Sequence, residues 1–181
     1  GVAALHSSET AIVDAVAFGQ KLAALSEKTG AHIFWGREIV GITKQDSKFV
    51  LSILNNDNTR DECDVDRMFN AAGLYADEVA RMVNPESPYC IIPVRGEYCR
   101  YASAKKSEFR INHAIYGLPQ EFLHEGRKVF SSGMHLLPTI GSDTVLVGPT
   151  ARVIEKKDDY EKNRFGKEHF LAYAQPFLPE L

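Results

Sequence analysis

Two kinds of group in this chain could do chemistry, one made of backbone and one of side chains. The first is the triplet Ala71-Ala72-Gly73, set between an apolar run at 68–72 and a run with helical spacing at 76–83. Three small residues at a strand-to-helix turn let a ligand approach the main chain, and the amides at the helix start then face it. The same triplet also fits a tight turn with no ligand. The second kind is His135, Arg95, Tyr98 and Tyr116. An imidazole with a pKa near ~6.5 exchanges protons around neutrality. A guanidinium can hold a carboxylate bidentately, and a phenol offers an O–H donor. Each side chain has a plainer alternative: a hydrogen-bonded histidine in an apolar strand, a salt-bridged arginine, and tyrosines packed at the edge of a core.

Metal chemistry finds no support. His32, His113, His124 and His169 have no metal-ligand spacing, and Asp57, Asp61, Glu62, Asp64 and Asp66 lack the glycine and closing glutamate of a calcium loop, so they read as a solvated hairpin.

The elements that must position these residues follow from the apolar pattern. Asp14 is placed to cap a helix over 15–29 that carries one buried stripe, Phe18, Leu22 and Leu25, and ends at Gly30. Residues 31–35 alternate and predict a strand, so helix, glycine and strand resemble the αβ half of a parallel-sheet unit. Runs at 38–43, 49–54 and 59–65, separated by turn-rich segments, predict an antiparallel meander, and 68–72 predicts a return to the main sheet. The Pro-rich link Asn84-Pro85-Glu86-Ser87-Pro88 predicts a domain boundary. Beyond it come a long strand over 91–101 interrupted near Gly96, strands at 114–116 and 134–137, a strand at 144–147 paired with the previous one across a turn at 141–143, and a helix over 160–174.

Composition bounds the class. With 181 residues, 44% hydrophobic and 25% charged, the chain can bury a sizeable core, and its net charge of -3 gives no footprint for nucleic acid or an anionic membrane. Cys63, Cys90 and Cys99 have no paired spacing and read as free thiols, which suits a reducing, cytoplasmic setting. No apolar run is long enough to span a bilayer.

Several stretches, taken in order, resemble the FAD-dependent oxidoreductases of the D-amino-acid-oxidase-like superfamily. They are Ala4-Leu5-His6-Ser7-Ser8-Glu9, Asn70-Ala71-Ala72-Gly73-Leu74-Tyr75-Ala76-Asp77, Arg95-Gly96-Glu97-Tyr98, Ile115-Tyr116-Gly117-Leu118-Pro119, and Gly133-Met134-His135-Leu136-Leu137-Pro138-Thr139 followed by Leu146-Val147-Gly148-Pro149. Within the superfamily they look most like the enzymes that oxidise L-2-hydroxyglutarate. The resemblance implies FAD as cofactor, with Ile39, Ala71, Ala72 and Gly73 on the cofactor side, His135 as the base that takes the hydroxyl proton, and Arg95, Tyr98 and Tyr116 toward a small-molecule substrate. It also implies a partial FAD-binding domain at 1–84 with the meander inserted, then a mixed-sheet substrate domain at 88–181, so the fold class is mixed α/β and α+β.

No G-x-G-x-x-G follows a strand, and the resemblance puts that turn ahead of Gly1. The chain is therefore expected to be a middle fragment that does not hold FAD alone. Ala11, Gly117 and Leu137 depart from the family pattern, which usually has glycine, proline and threonine there. Relatives acting on glycerol 3-phosphate or on glycine share the scaffold and remain alternatives, as does a binding or assembly domain without flavin.

Overall fold

The computed structural model of this chain describes residues 3–102, 111–124, 127–131, 133–141, 143–161 and 164–178. They divide into two compact units, one formed by Gly1–Phe18, Val94–Val153 and Asp159–Leu181, the other by Gly19–Pro93 and Ile154–Asp158.

Helix α1, Ala15–Lys28, begins where Asp14 accepts hydrogen bonds from the Val16 and Ala17 amides at 3.1 and 3.0 Å. It ends in a Schellman turn, with Ala31 N–H donating to Ser26 and Gly30 N–H to Glu27 while Gly30 sits at φ 94°. Both ends are where the sequence puts them. Its stripe is not buried: Phe18, Leu22 and Leu25 are all exposed. The expected strand at 31–35 is irregular chain, and so is the expected strand at 68–72. The first is expected in a parallel-sheet unit and the second in the main sheet, but every strand pair among the described residues is antiparallel and none includes either segment.

The meander forms as expected, from β1 (Arg37–Gln45), β2 (Lys48–Asn55) and β3 (Arg60–Val65) in the order β1-β2-β3. A bulge falls between Ile39 and Gly41, where the register with β2 shifts. Helix α2, Ala76–Val83, follows a single 3-10 turn at Gly73–Tyr75.

In the other unit the long strand over 91–101 is two strands in two sheets. β4 (Val94–Arg95) pairs with β11 (Arg152–Val153), and β5 (Cys99–Ala102) joins a four-stranded sheet with β6 (Ile115–Tyr116), β9 (His135–Pro138) and β10 (Thr144–Gly148) in the order β5-β10-β9-β6. The break has a cause. At Glu97 the chain turns onto Thr150, whose hydroxyl takes the Glu97 N–H at 3.1 Å and whose amide donates to the Glu97 carbonyl at 3.0 Å. A hairpin of β7 (Gln120–His124) and β8 (Arg127–Ser131) was not expected from the sequence. Ser142, in the expected turn at 141–143, lies outside the described residues, as does the side chain of His124.

Helix α3 spans Lys167–Ala174, seven residues shorter at its start than the periodicity predicts. A continuous helix would spend the Phe165 N–H on its own ladder. Here that N–H donates to the Glu97 carboxylate at 2.9 Å, and 164–166 are not helical; residues 162 and 163 of the expected helix lie outside the described residues. Phe170 and Ala174 of α3 pack on Leu136, Val145 and Val147 to make the core of this unit. Leu136 and Val147 are completely buried, each worth roughly 1.5–3 kcal/mol on the usual scale of apolar burial.

Candidate functional site

The four-stranded sheet brings three of the sequence-selected side chains together. His135 is the first residue of β9, opposite Tyr116 of β6 on one side and Gly148 of β10 on the other. The Tyr116 ring lies tilted against the imidazole at 4.8 Å between centroids, and the Tyr98 ring meets it edge-on at 6.0 Å. Tyr98 reaches this position over Gly148. A side chain at Gly148 would start 2.5 Å from the Glu97 carbonyl oxygen and 2.8 Å from Tyr98 Cδ1, and the residue's φ of 151° also suits glycine. Gly148 thus makes room for Tyr98 beside His135, which residue type alone does not reveal.

Both phenols are about half exposed, Tyr98 at 46% and Tyr116 at 50%, so the cluster has a face that a small molecule can reach. His135 is half-buried, and its Nδ1 is shut off from solvent with no hydrogen-bond partner among the described residues. Burial lowers the imidazole pKa from its ordinary value, and the Gly133 backbone opposes that only in part. The ring is therefore held in the neutral form that can accept a proton. Burial raises the Tyr98 pKa, with Tyr116 adding to it, so this phenol stays protonated and able to donate.

Arg95 is buried and engaged. Its Nε and Nη2 both donate to Glu97 Oε1, at 3.1 and 2.9 Å, and its Nη1 reaches Asp159 Oδ1 at 3.3 Å. Burial pushes the Glu97 carboxyl up, but the Phe165 N–H and the Arg95 guanidinium outweigh it and leave the pKa lowered. The network of Arg95, Glu97, Thr150 and Phe165 fixes the main chain that carries Tyr98.

In the other unit, Ala71, Ala72 and Gly73 are exposed. Gly73 has φ 56°, and the space where a side chain would begin is open. Asn70 staples the turn from within: its Oδ1 accepts the Ala72 N–H at 3.2 Å and its Nδ2 donates to the Ala76 carbonyl at 2.7 Å. Below the turn, buried Asp77 accepts from Lys157 Nζ, from the Ile91 N–H at 3.0 Å and from Arg81 at 3.1 Å. These contacts hold its carboxyl far below the usual range, Lys157 contributing most. Residue type alone gave no sign of this clamp, because Asp77 and Lys157 stand eighty residues apart. Ile39 lies half-buried in β1, paired with Ile53 at the bulge.

An FAD cofactor is compatible with these residues. A left-handed Gly73 beside two exposed alanines leaves room for a ligand against the backbone.

Comparison with known proteins agrees. The chain is 30% identical to an L-2-hydroxyglutarate dehydrogenase of Indibacter alkaliphilus over 168 residues, covering 91% of this chain and 38% of that protein. The corresponding enzyme of Escherichia coli K12 is 27% identical over 80% of this chain and 31% of its own length. A glycerol 3-phosphate dehydrogenase of Caloramator mitchellensis is 30% identical over 95% of this chain and 32% of its own length. This chain thus spans about a third of the length of the curated relatives it matches. No solved structure gives a match. No helix among the described residues is long and apolar enough to cross a membrane. The family description "FAD dependent oxidoreductase" matches residues 1–181, end to end, and the chain belongs to that family, DAO.

Proposed function

We propose that the His135 cluster is the substrate side of an enzyme that oxidises a small 2-hydroxy acid of the L-2-hydroxyglutarate kind to the 2-oxo acid, and that the Ala71–Gly73 turn lies on its cofactor side. The observation that carries this reading is the half-buried imidazole of His135 between two half-exposed phenols, its pKa lowered by burial. His135 accepts the proton of the substrate hydroxyl, and Tyr98 and Tyr116 offer O–H donors to the substrate's oxygens. FAD, when bound, supplies the acceptor for the hydride that leaves the carbinol carbon. With its guanidinium committed to Glu97 and Asp159, Arg95 supports the main chain under Tyr98. Glycerol 3-phosphate is the second reading, favoured by the Caloramator relative, and it would use the same base on a secondary alcohol.

The test uses the full-length protein. His135→Ala should keep its flavin and slow anaerobic flavin reduction by roughly 10²–10⁴-fold, with a smaller effect on substrate affinity. Mixing the parent enzyme with L-2-hydroxyglutarate, glycerol 3-phosphate and glycine in parallel assigns the substrate. Reduction by glycerol 3-phosphate or glycine but not by the hydroxy acid overturns the substrate reading. Unchanged reduction in the His135 variant overturns the role of the histidine.

A further inference from the structure

The strand that carries His135 is anchored from behind by one side chain of α3. The Tyr173 hydroxyl donates to the carbonyl of Met134, the residue immediately before His135. The same hydroxyl lies 3.0 Å from where a side chain at residue 117 would begin, and residue 117 directly follows Tyr116. One phenol therefore touches the shoulder of both members of the closest ring pair in the cluster, Tyr116 and His135. Its ring is held by Phe177 at 5.7 Å and packs, half-buried, on the core of Leu136, Phe170 and Ala174. Gly117 is the complementary half of the arrangement, because a Cβ there would press on the hydroxyl at 3.0 Å, tighter than an ordinary contact.

From this geometry we infer that Tyr173 and Gly117 act as a coupled positioning pair that sets His135 against Tyr116. The inference rests on the proposed role of the cluster. Removing the hydroxyl leaves the Met134 carbonyl without this donor and loosens the start of β9, so water gains access to the imidazole. Adding a methyl group at 117 drives the hydroxyl away and produces the same outcome by another route. Once the hydroxyl is gone, the methyl group meets nothing within ordinary contact distance except the Phe177 ring at 3.8 Å. The two substitutions should therefore not add.

The experiment is a double-mutant cycle in the full-length, FAD-loaded protein: Tyr173→Phe, Gly117→Ala and the pair together. Histidine ring resonances are followed by NMR, with His135 assigned by its loss in His135→Asn. Tyr98 and Tyr116 are the titratable side chains in ring contact with His135; the ordinary pKa of a phenol, ~10, is far from that of an imidazole, so the midpoint reports on burial of the imidazole. Tyr173→Phe should move the His135 midpoint upward by about 0.5–1 pH unit toward the ordinary value. It should lower the maximal rate of flavin reduction about 3–10-fold with FAD affinity unchanged, as expected for a misplaced base. Gly117→Ala should do the same, and the double variant should match Tyr173→Phe alone. A His135 titration unmoved in Tyr173→Phe overturns the inference, even if that variant is less stable. Additive shifts in the double variant overturn the coupling. Because the titration is read without substrate, this outcome is independent of whether His135 proves to be the base.

Discussion

The two places where this chain could meet small molecules are built in opposite ways. Around His135 the working parts are side chains, and they are held by packing: a β-sheet row of Tyr116, His135 and Gly148, a core of Leu136 and Val147 beneath it, and the Arg95–Glu97 pair under Tyr98. Around Ala71–Gly73 the working parts are backbone, and they are held by polar clamps: Asn70 within the turn and Asp77 beneath it. A site made of side chains tolerates little change in the volume or charge behind it, whereas a site made of backbone depends on the conformation its clamps impose. The first region should therefore be most sensitive to packing and buried charge, and the second to protonation.

The largest effect on stability should come from Arg95→Ala. It removes the guanidinium from a Glu97 carboxylate that is only 10% exposed and keeps the Phe165 N–H, and breaking a buried ion pair from one side in this way costs about 3–5 kcal/mol. Hydrogen exchange of peptides covering 94–102 and 143–150 should accelerate strongly, with exchange in α2 much less affected. If Arg95→Ala leaves local exchange unchanged but abolishes substrate binding, the arginine holds substrate and the division between the two regions fails.

Gly148→Ala is the next largest. The new methyl group would stand 2.5 Å from a backbone oxygen, which cannot swing aside as a flexible side chain would, so Tyr98 or the strand must move. Overpacking of this sort costs roughly 1–3 kcal/mol. In the full-length protein the variant should lose substrate affinity while binding FAD normally. Loss of FAD affinity with normal substrate binding would show that Gly148 serves the cofactor instead.

Much of this was legible in the sequence wherever the signal is local. Asp14 and Gly30 mark the ends of α1 because caps are read from single residues, and the meander follows from alternation interrupted by Asn55-Asn56-Asp57-Asn58. The gathering of His135, Tyr98 and Tyr116 came through motif resemblance, since no periodicity joins residues so far apart in the chain. What failed depends on partners. Residues 31–35 and 68–72 have strand-like composition, but a strand exists only in a ladder. The stripe of α1 has helical spacing, but spacing does not say what covers it. The missing first turns of α3 trace to a single hydrogen bond from Phe165 to Glu97, across sixty-eight residues. Gly117, which departs from the family pattern, has a neighbour visible only in three dimensions, because the Tyr173 hydroxyl would crowd a side chain there at 3.0 Å.

The smallest effect, and the one that isolates the second region, is a pH effect at Asp77. Its carboxyl is buried and its pKa lies well below the ordinary carboxylate value of ~3.9, chiefly through Lys157 and then the Ile91 N–H. The sign follows from linkage. An acid whose pKa is lower in the folded state binds fewer protons there than when unfolded, so its stabilisation is complete above the unfolded pKa and fades as pH falls through that value toward the folded one. Lys157, whose pKa is raised by the same pair, stays charged across this window and adds no slope of its own there. The clamp around α2 should therefore hold at neutral pH and weaken below about pH 4. Exchange of peptides covering 76–91, corrected for the intrinsic rate, should rise between about pH 4 and pH 2.5 in the parent protein. Asp77→Asn should remove that acid-dependent rise by making the region looser at every pH, while peptides around His135 keep their parent profile. An acid transition of the same size in Asp77→Asn would mean that another group carries it, and that the turn at Ala71–Gly73 is held by Asn70 and packing, as the side-chain site is.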